Sequence, residues 1–286
     1  MKKIAVIFLL LFTLSSCVKN NEDPSWIEIS EWTLEANSAA TPGIAGELTH
    51  NFSDAWVYVD GTLLGVFELP CKVPVLKSGN AKITLLPTIK DNGISATKRA
   101  YPFVESYIVD VNLVQNQSVK LTPITRYYST TKFWKEDFGD PAIKISEDPN
   151  NTAHIIVDYT SPILKWGNCG RISLSSAQST FLAYTSDGLY LSKGSEVYLE
   201  IDYYNTNSLT TGLLAMQTDG TTNNNINIRL NAQDGSSINW KKIYIALKEL
   251  ISNTSNANQF KISLQAAIDE GLSSSDIYID NIKIVY

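Results

Sequence analysis

Histidine and cysteine are scarce in this chain of 286 residues: His50 and His154 are its only histidines, and Cys17, Cys71 and Cys169 its only cysteines. There is no C-x-x-C pair and no Cys/His cluster, so the usual zinc-ligand spacings are absent. The two histidines lie far apart with no nucleophile motif beside either, which leaves a Ser-His-Asp or Cys-His triad without support. Runs of Lys and Arg are also missing. With 23 basic against 29 acidic residues and a pI near 5.0, the chain lacks the clustered cations that nucleic-acid binding needs to displace counterions, and no nucleic-acid partner is expected. No apolar run approaches the ~20 residues of a membrane-spanning helix.

What is present begins with Met1-Lys2-Lys3, a nine-residue apolar run from Ile4 to Phe12, and small residues up to Ser16. A cationic start, a short apolar core and a small-residue end make a targeting leader over 1–16. Leu14-Ser15-Ser16-Cys17 resembles the lipobox of bacterial lipoproteins, which implies acylation of the Cys17 thiol and cleavage just before it. An ordinary secretory leader that happens to end near a cysteine is the alternative. More than one acyl chain makes a stable anchor where a single chain does not, so the resemblance implies a lipid-anchored envelope protein, with membrane lipid as a partner and the outer membrane as its place. Residues 17–25 then form a polar tether. Its Glu22-Asp23 resembles the signal that directs some Gram-negative lipoproteins to the outer face, but a solvated linker fits equally, and the leaflet stays open.

Removing the leader leaves 21 basic and 29 acidic residues, a net charge of −8, and enough chain for two cores. Aromatic and β-branched residues alternate with polar ones, and the breaks are rich in Asn, Asp, Gly and Ser. This pattern predicts an all-β protein of many short antiparallel strands. A first, small sandwich is expected over 26–123, with a hairpin at Asp60-Gly61, a turn at Asp91-Asn92-Gly93 and strands over 56–59, 81–89, 106–114 and 118–121. A connector follows over 124–133. A larger sandwich over 134–286 is expected to hold strands over 153–159, 171–174, 196–204, 212–217, 226–231, 240–246, 259–266 and 276–285, with one two-turn helix over 245–251. Cys71 and Cys169 fall in different domains and are read as buried free thiols, although the envelope would permit a bridge.

In the first domain, Val57-Tyr58-Val59-Asp60-Gly61, Gly65, Leu69-Pro70 and Gly79 before Ile83-Thr84-Leu85 resemble PEGA-type and related immunoglobulin-like surface modules, with Phe67-Glu68-Leu69-Pro70 in place of the name-giving tetrapeptide. Such modules act as spacers or docking surfaces. In the second domain, Trp134 to Phe138, Trp240 to Leu247, Phe260 to Gln265 and Ile277 to Ile284 resemble the opening and closing strands of galactose-binding-like jelly rolls, which include many carbohydrate-binding modules. The fold class is thus a small immunoglobulin-like β-sandwich followed by a larger jelly-roll β-sandwich.

Period-two alternation puts Asp280 on one face with Tyr278, Ile282 and Ile284, an apolar setting in which a carboxylate needs partners. The jelly-roll resemblance implies a structural Ca²⁺ there, held with Glu136 and Asp137, since Ca²⁺ takes six to eight oxygens. Alternatively, backbone amides at a bulge satisfy Asp280, because the phase of Ile277 and Ile279 breaks at Asp280-Asn281. No catalytic cofactor is implied. For a glycan, the aromatics on loops or strand ends are the candidates: Trp166, Tyr184 and Tyr190. Trp240, at the start of an alternating strand, is assigned to the core. The polar stretch Thr218–Asn225 is read as a solvated loop, and Glu196, Glu200, Asp202 and Asp219 as surface acids that sequence cannot pair into a glycosidase. The resulting expectation is a non-enzymatic display protein that binds glycan; the competing one is a docking subunit that grips an envelope protein.

Overall fold

Hairpin chemistry starts the first sandwich where the sequence puts it. Asp60 and Gly61 both adopt positive φ, at 47° and 79°, and the two-residue turn returns β3 (Asp54–Val59) as β4 (Thr62–Glu68). The computed structural model describes residues 23–140 and 142–286, so the leader and Cys17 lie outside the described residues. On its other side β3 pairs with the long β6 (Gly79–Lys90), whose far edge takes β8 (Tyr107–Leu113) along its first half and β7 (Lys98–Ala100) at its end. The facing sheet has β1 (Ser25–Ile29) between antiparallel β5 (Cys71–Val75) and parallel β9 (Ser118–Leu121). Alternating Ile27 and Ile29, Val57 and Val59, Ile83 and Leu85 fill the core between them. The stretch expected to be a connector is partly a strand. Ile124–Arg126 forms β10, paired in parallel with β2 (Thr33–Glu35), so the first domain runs past residue 123.

The second sandwich has two facing sheets. One orders β13 (Ile155–Asp158), β14 (Cys169–Ser175), β21 (Ser274–Val285), β16 (Tyr198–Asn205) and β19 (Lys241–Ala246), with β11 (Phe133–Glu136) added on β21. The other orders β12 (Ile145–Glu147), β15 (Thr180–Thr185), β20 (Ala257–Ala267), β17 (Leu209–Gln217) and β18 (Thr222–Leu230). Ile201, Ile279 and Ile282 from the first sheet are buried in one core with Leu213, Phe260 and Leu264 from the second. The helix is later than expected: α1 spans Lys248–Asn253, and Ile245 and Ala246 finish β19. The polar stretch is also corrected. Only its start turns, and Thr222 to Asn225 already belong to β18. Cys71 and Cys169 are unbridged, and burial pushes the Cys169 thiol up to about 12.

Phe138, fully buried at positive φ, lies against Gly170 of β14. A Cβ added at Gly170 would sit 2.5 Å from the Phe138 ring and 2.8 Å from Ile155 Cδ1. Gly170→Ala is therefore expected to cost about 1–3 kcal/mol through overpacking, read as a lowered urea midpoint; an unchanged midpoint would refute this packing.

The first sandwich is no detached spacer. It lies on the outer face of the β21 sheet, where Tyr198, Tyr244 and Val285 join the first domain's core. Tyr101 meets Tyr198 edge to face at 5.2 Å and Tyr244 at 5.0 Å, and Phe52 stacks on Tyr244 at 5.8 Å. Backbone bonds join the domains as well: the Asn92 amide donates to the Tyr244 carbonyl, and the Asn92 side chain accepts from the Ala246 amide.

Candidate functional site

Because the first domain covers only part of that outer face, a cleft of about 800 Å³ opens between the domains. One wall is the segment Glu47–Asn51 with Lys90 and Gly93; the other is Lys165, Trp166, Tyr203 and the stretch Asn239–Tyr244. Local sequence explains how the rings reach it. Gly167, at φ 114°, turns the 161–168 loop into β14, and the Asn168 side chain anchors that turn by donating from Nδ2 to the Phe138 carbonyl. Trp240 is held as β19 begins by its indole N–H, which donates to the Ile163 carbonyl at 2.8 Å.

The two indoles meet edge to face, with centroids 5.5 Å apart and planes at 73°, and the Lys165 ammonium lies 4.6 Å from the Trp166 ring centre. Both rings are half-buried. Trp240 therefore belongs to the cleft and not to the sandwich core, where its alternation seemed to put it. The other two aromatic candidates are elsewhere. Tyr184 projects from β15 opposite to the inward Phe181, Ala183 and Thr185, on the outer face of the β20 sheet, and Tyr190 is 75% exposed on the loop after it.

Beneath the cleft is a buried charge network. Lys242 sits 2.9 Å from Glu200 Oε2 and 3.7 Å from Asp202 Oδ1, and its ammonium donates to Thr49 Oγ1 at 3.1 Å. The Thr49 hydroxyl in turn donates to Asp202, while Tyr101 and Tyr127 donate to Glu200 Oε1 at 2.6 and 2.8 Å. Glu200 and Asp202 are thus fully buried partners of the domain interface, not surface acids. Burial would raise the Glu200 carboxyl, but Lys242, Lys283 and the Tyr101 hydroxyl outweigh it and hold it below its ordinary value. Glu196 is half-buried between Arg99 and Lys248, and Asp219 is exposed in a turn that it caps by accepting from Thr221.

The three acids named for calcium are each engaged by protein groups. Both Glu136 oxygens accept backbone amides, from Phe138 and Lys144, while Asp137 is engaged by Lys135 and the Gly139 amide. Asp280 Oδ1 accepts from the Asn281 amide at 2.7 Å, as the bulge reading has it. With Asn281 at φ 47°, the inward phase of Ile277 and Ile279 passes to Ile282 and Ile284, and Asp280 faces outward toward the interface. Among the described residues no group of three or more His, Cys, Asp and Glu is gathered to hold a metal ion. The histidines do not meet either. His50 lines the cleft, stacked on Phe52 and held below its usual value by burial and by Lys242, whereas His154 is exposed beside Glu147.

No protein-family model and no curated protein matches the chain. Solved structures similar to it include a xylan-binding domain of family 22 carbohydrate-binding modules, 11% identical over 53% of this chain and 92% of that one, with a TM-score of 0.38. A module from a study of promiscuous carbohydrate-binding modules of the β-sandwich superfamily is 14% identical over 81% and 86%, with a TM-score of 0.40. A family 28 module specific for non-crystalline cellulose is 11% identical over 52% and 91%, with a TM-score of 0.39.

Proposed function

We propose that the chain is a lipid-anchored envelope protein, held to the outer membrane by acylated Cys17, whose two sandwiches together form a glycan-binding cleft. The observation that carries this reading is the pair of half-exposed indoles, Trp166 and Trp240, in a cleft otherwise lined mostly by polar and charged side chains. Sugar rings present C–H faces that pack on aromatic rings and hydroxyls that need donors and acceptors, and concave sites of this size are the usual form of a ligand site. At 73° the indoles make a corner and not a flat platform, which suits one ring face of a sugar and one edge. The reading is one of binding without chemistry. The acids that reach the floor are already engaged: Asp202 by Lys242 and Thr49, and Glu200 behind it by Lys242 and two tyrosine hydroxyls. The first, immunoglobulin-like sandwich then serves as one wall of the site and not as a stalk.

The full chain in detergent should give reproducible signals on a glycan array. Trp166→Ala should weaken the best of them by on the order of tenfold or more, as for a central aromatic anchor. An empty array together with a reproducible envelope-protein partner in crosslinked membranes would overturn this reading in favour of docking.

A further inference from the structure

We infer that the glycan taken by this cleft is an anionic one, a sugar carrying a carboxylate or a sulfate ester, selected by Lys165 and Lys241; this rests on the glycan reading of the same site. The cleft's charge runs against that of the chain. In a protein with net charge −6, its lining holds four lysines and only two acids, Glu47 and Asp202. The floor pair cancels, because Lys242 is 3% exposed and bound to Glu200 and Asp202, while Asp202 is held by Lys242 and Thr49. That leaves three lysines at the rim against Glu47. Lys90 has one carboxylate within reach, that of Glu68 at 3.9 Å, which is itself 69% exposed. Lys165 and Lys241 are exposed, and among the described residues neither has a carboxylate within 4 Å.

Position joins the two requirements. The Lys165 ammonium lies over the Trp166 ring, and Lys241, which follows Trp240 in the chain, lines the same cleft. A sugar whose C–H face rests on an indole carries its ring substituents outward by a few ångströms, to where an ammonium can meet an anionic one. His50, whose protonation is disfavoured by burial and by Lys242, adds a hydrogen-bonding group to the wall. A neutral glycan would leave Lys165 and Lys241 without an anionic partner, and an anion with no ring would leave the indoles without a partner. Ligand anions at a partly open rim are screened by salt, so the selection must weaken as ionic strength rises.

The test uses the full chain in detergent, an array of neutral, uronate-containing and sulfated oligosaccharides, and calorimetric titration of the best binder of each class at about 20 mM and about 500 mM NaCl. Expected is tighter binding of a uronate or a sulfated oligosaccharide than of its neutral counterpart, and weaker binding at high salt. A Lys165→Gln/Lys241→Gln variant should lose about tenfold toward the anionic ligand, equivalent to ~1.4 kcal/mol, and less than that toward the neutral one. Preference for uronate assigns the carboxylate, and preference for the sulfated ligand assigns the ester. Neutral ligands bound as tightly as both anionic classes, with the double variant and salt without effect, would overturn the charge selection and leave glycan binding standing. An array empty in all three classes would overturn both.

Discussion

Lys242→Met is expected to cost the protein about 3–5 kcal/mol, the usual penalty for breaking a buried ion pair by removing one partner. Methionine replaces the stem of the lysine but not its charge. Glu200 and Asp202, 0% and 1% exposed, would be left side by side on one face of β16 with tyrosine and threonine hydroxyls, no ion pair within 4 Å and only Lys283 as a nearby cation. The Lys242 ammonium is itself held above its ordinary value: burial pulls it down, and Glu200 and Asp202 more than compensate. The sign of the pH dependence follows. Glu200, lowered on folding, contributes stability that is present above its unfolded value and lost as pH falls through its folded one. Lys242, raised, contributes stability present below its unfolded value and lost as pH rises through its folded one. Glu200 and Lys242 are both charged near neutral pH, so the deficit of the variant should be flat there until Lys283 begins to titrate, and should shrink in acid as Glu200 protonates. Urea unfolding followed by tryptophan fluorescence reads it. Adding Glu200→Gln should recover part of the loss, because one buried charge then disappears with its partner. A deficit under about 1 kcal/mol near neutral pH would mean that the network is solvated and that the interface is looser than described.

This network is also where reading the sequence fell short, and the reason is physical. In β16, alternation separates Leu199 and Ile201 from Tyr198, Glu200 and Asp202, and that separation is correct. Periodicity tells which residues share a face, but not what covers the face. A face bearing acids reads as solvated unless its neighbours are noticed: Tyr198 and Tyr204 flank those acids, and the adjacent strands supply Lys242, Tyr244 and Lys283 on the same side. Two acids and two lysines framed by tyrosines form the signal of a polar surface closed by another domain. The same limit misplaced Trp240, whose alternation is real but whose side chain lies at the domain boundary. Hairpins were legible because Asp60-Gly61 and Asn92-Gly93 encode positive φ locally. Strand β18 was only half legible, since Asn223, Asn224 and Asn225 have poor strand propensity and are held by pairing with β17. The bulge at Asn281 was written in the sequence as a break in the isoleucine phase.

That bulge leads to the second large effect, a pH dependence that Asp280→Asn should remove. Burial pushes the Asp280 carboxyl up to about 8; the Asn281 amide opposes the shift, and Asp202, Asp137 and Glu47 add to it. Its folded value lies above its unfolded one, so the native protein binds more protons between about pH 4 and about pH 8. The contribution is fully present below the unfolded value and is lost as pH rises through the folded one. Lys283 acts in the next window. Burial, reinforced by Lys242, lowers its ammonium to about 8, so its protonation weighs against the fold below that value and the penalty lifts as pH rises beyond it. The wild-type chain should therefore lose stability from mildly acidic pH toward about 8 and regain some above it. Asparagine keeps the oxygen that accepts from Asn281 and carries no charge at any pH. Whatever fixed cost its amide brings, the difference between variant and wild type should move in the variant's favour by more than ~1 kcal/mol between about pH 5 and about pH 8, while the alkaline limb due to Lys283 persists. Urea midpoints measured across that range decide it. A difference that stays constant with pH would mean that Asp280 is ionised throughout, and that a cation or water reaches the bulge from the interface.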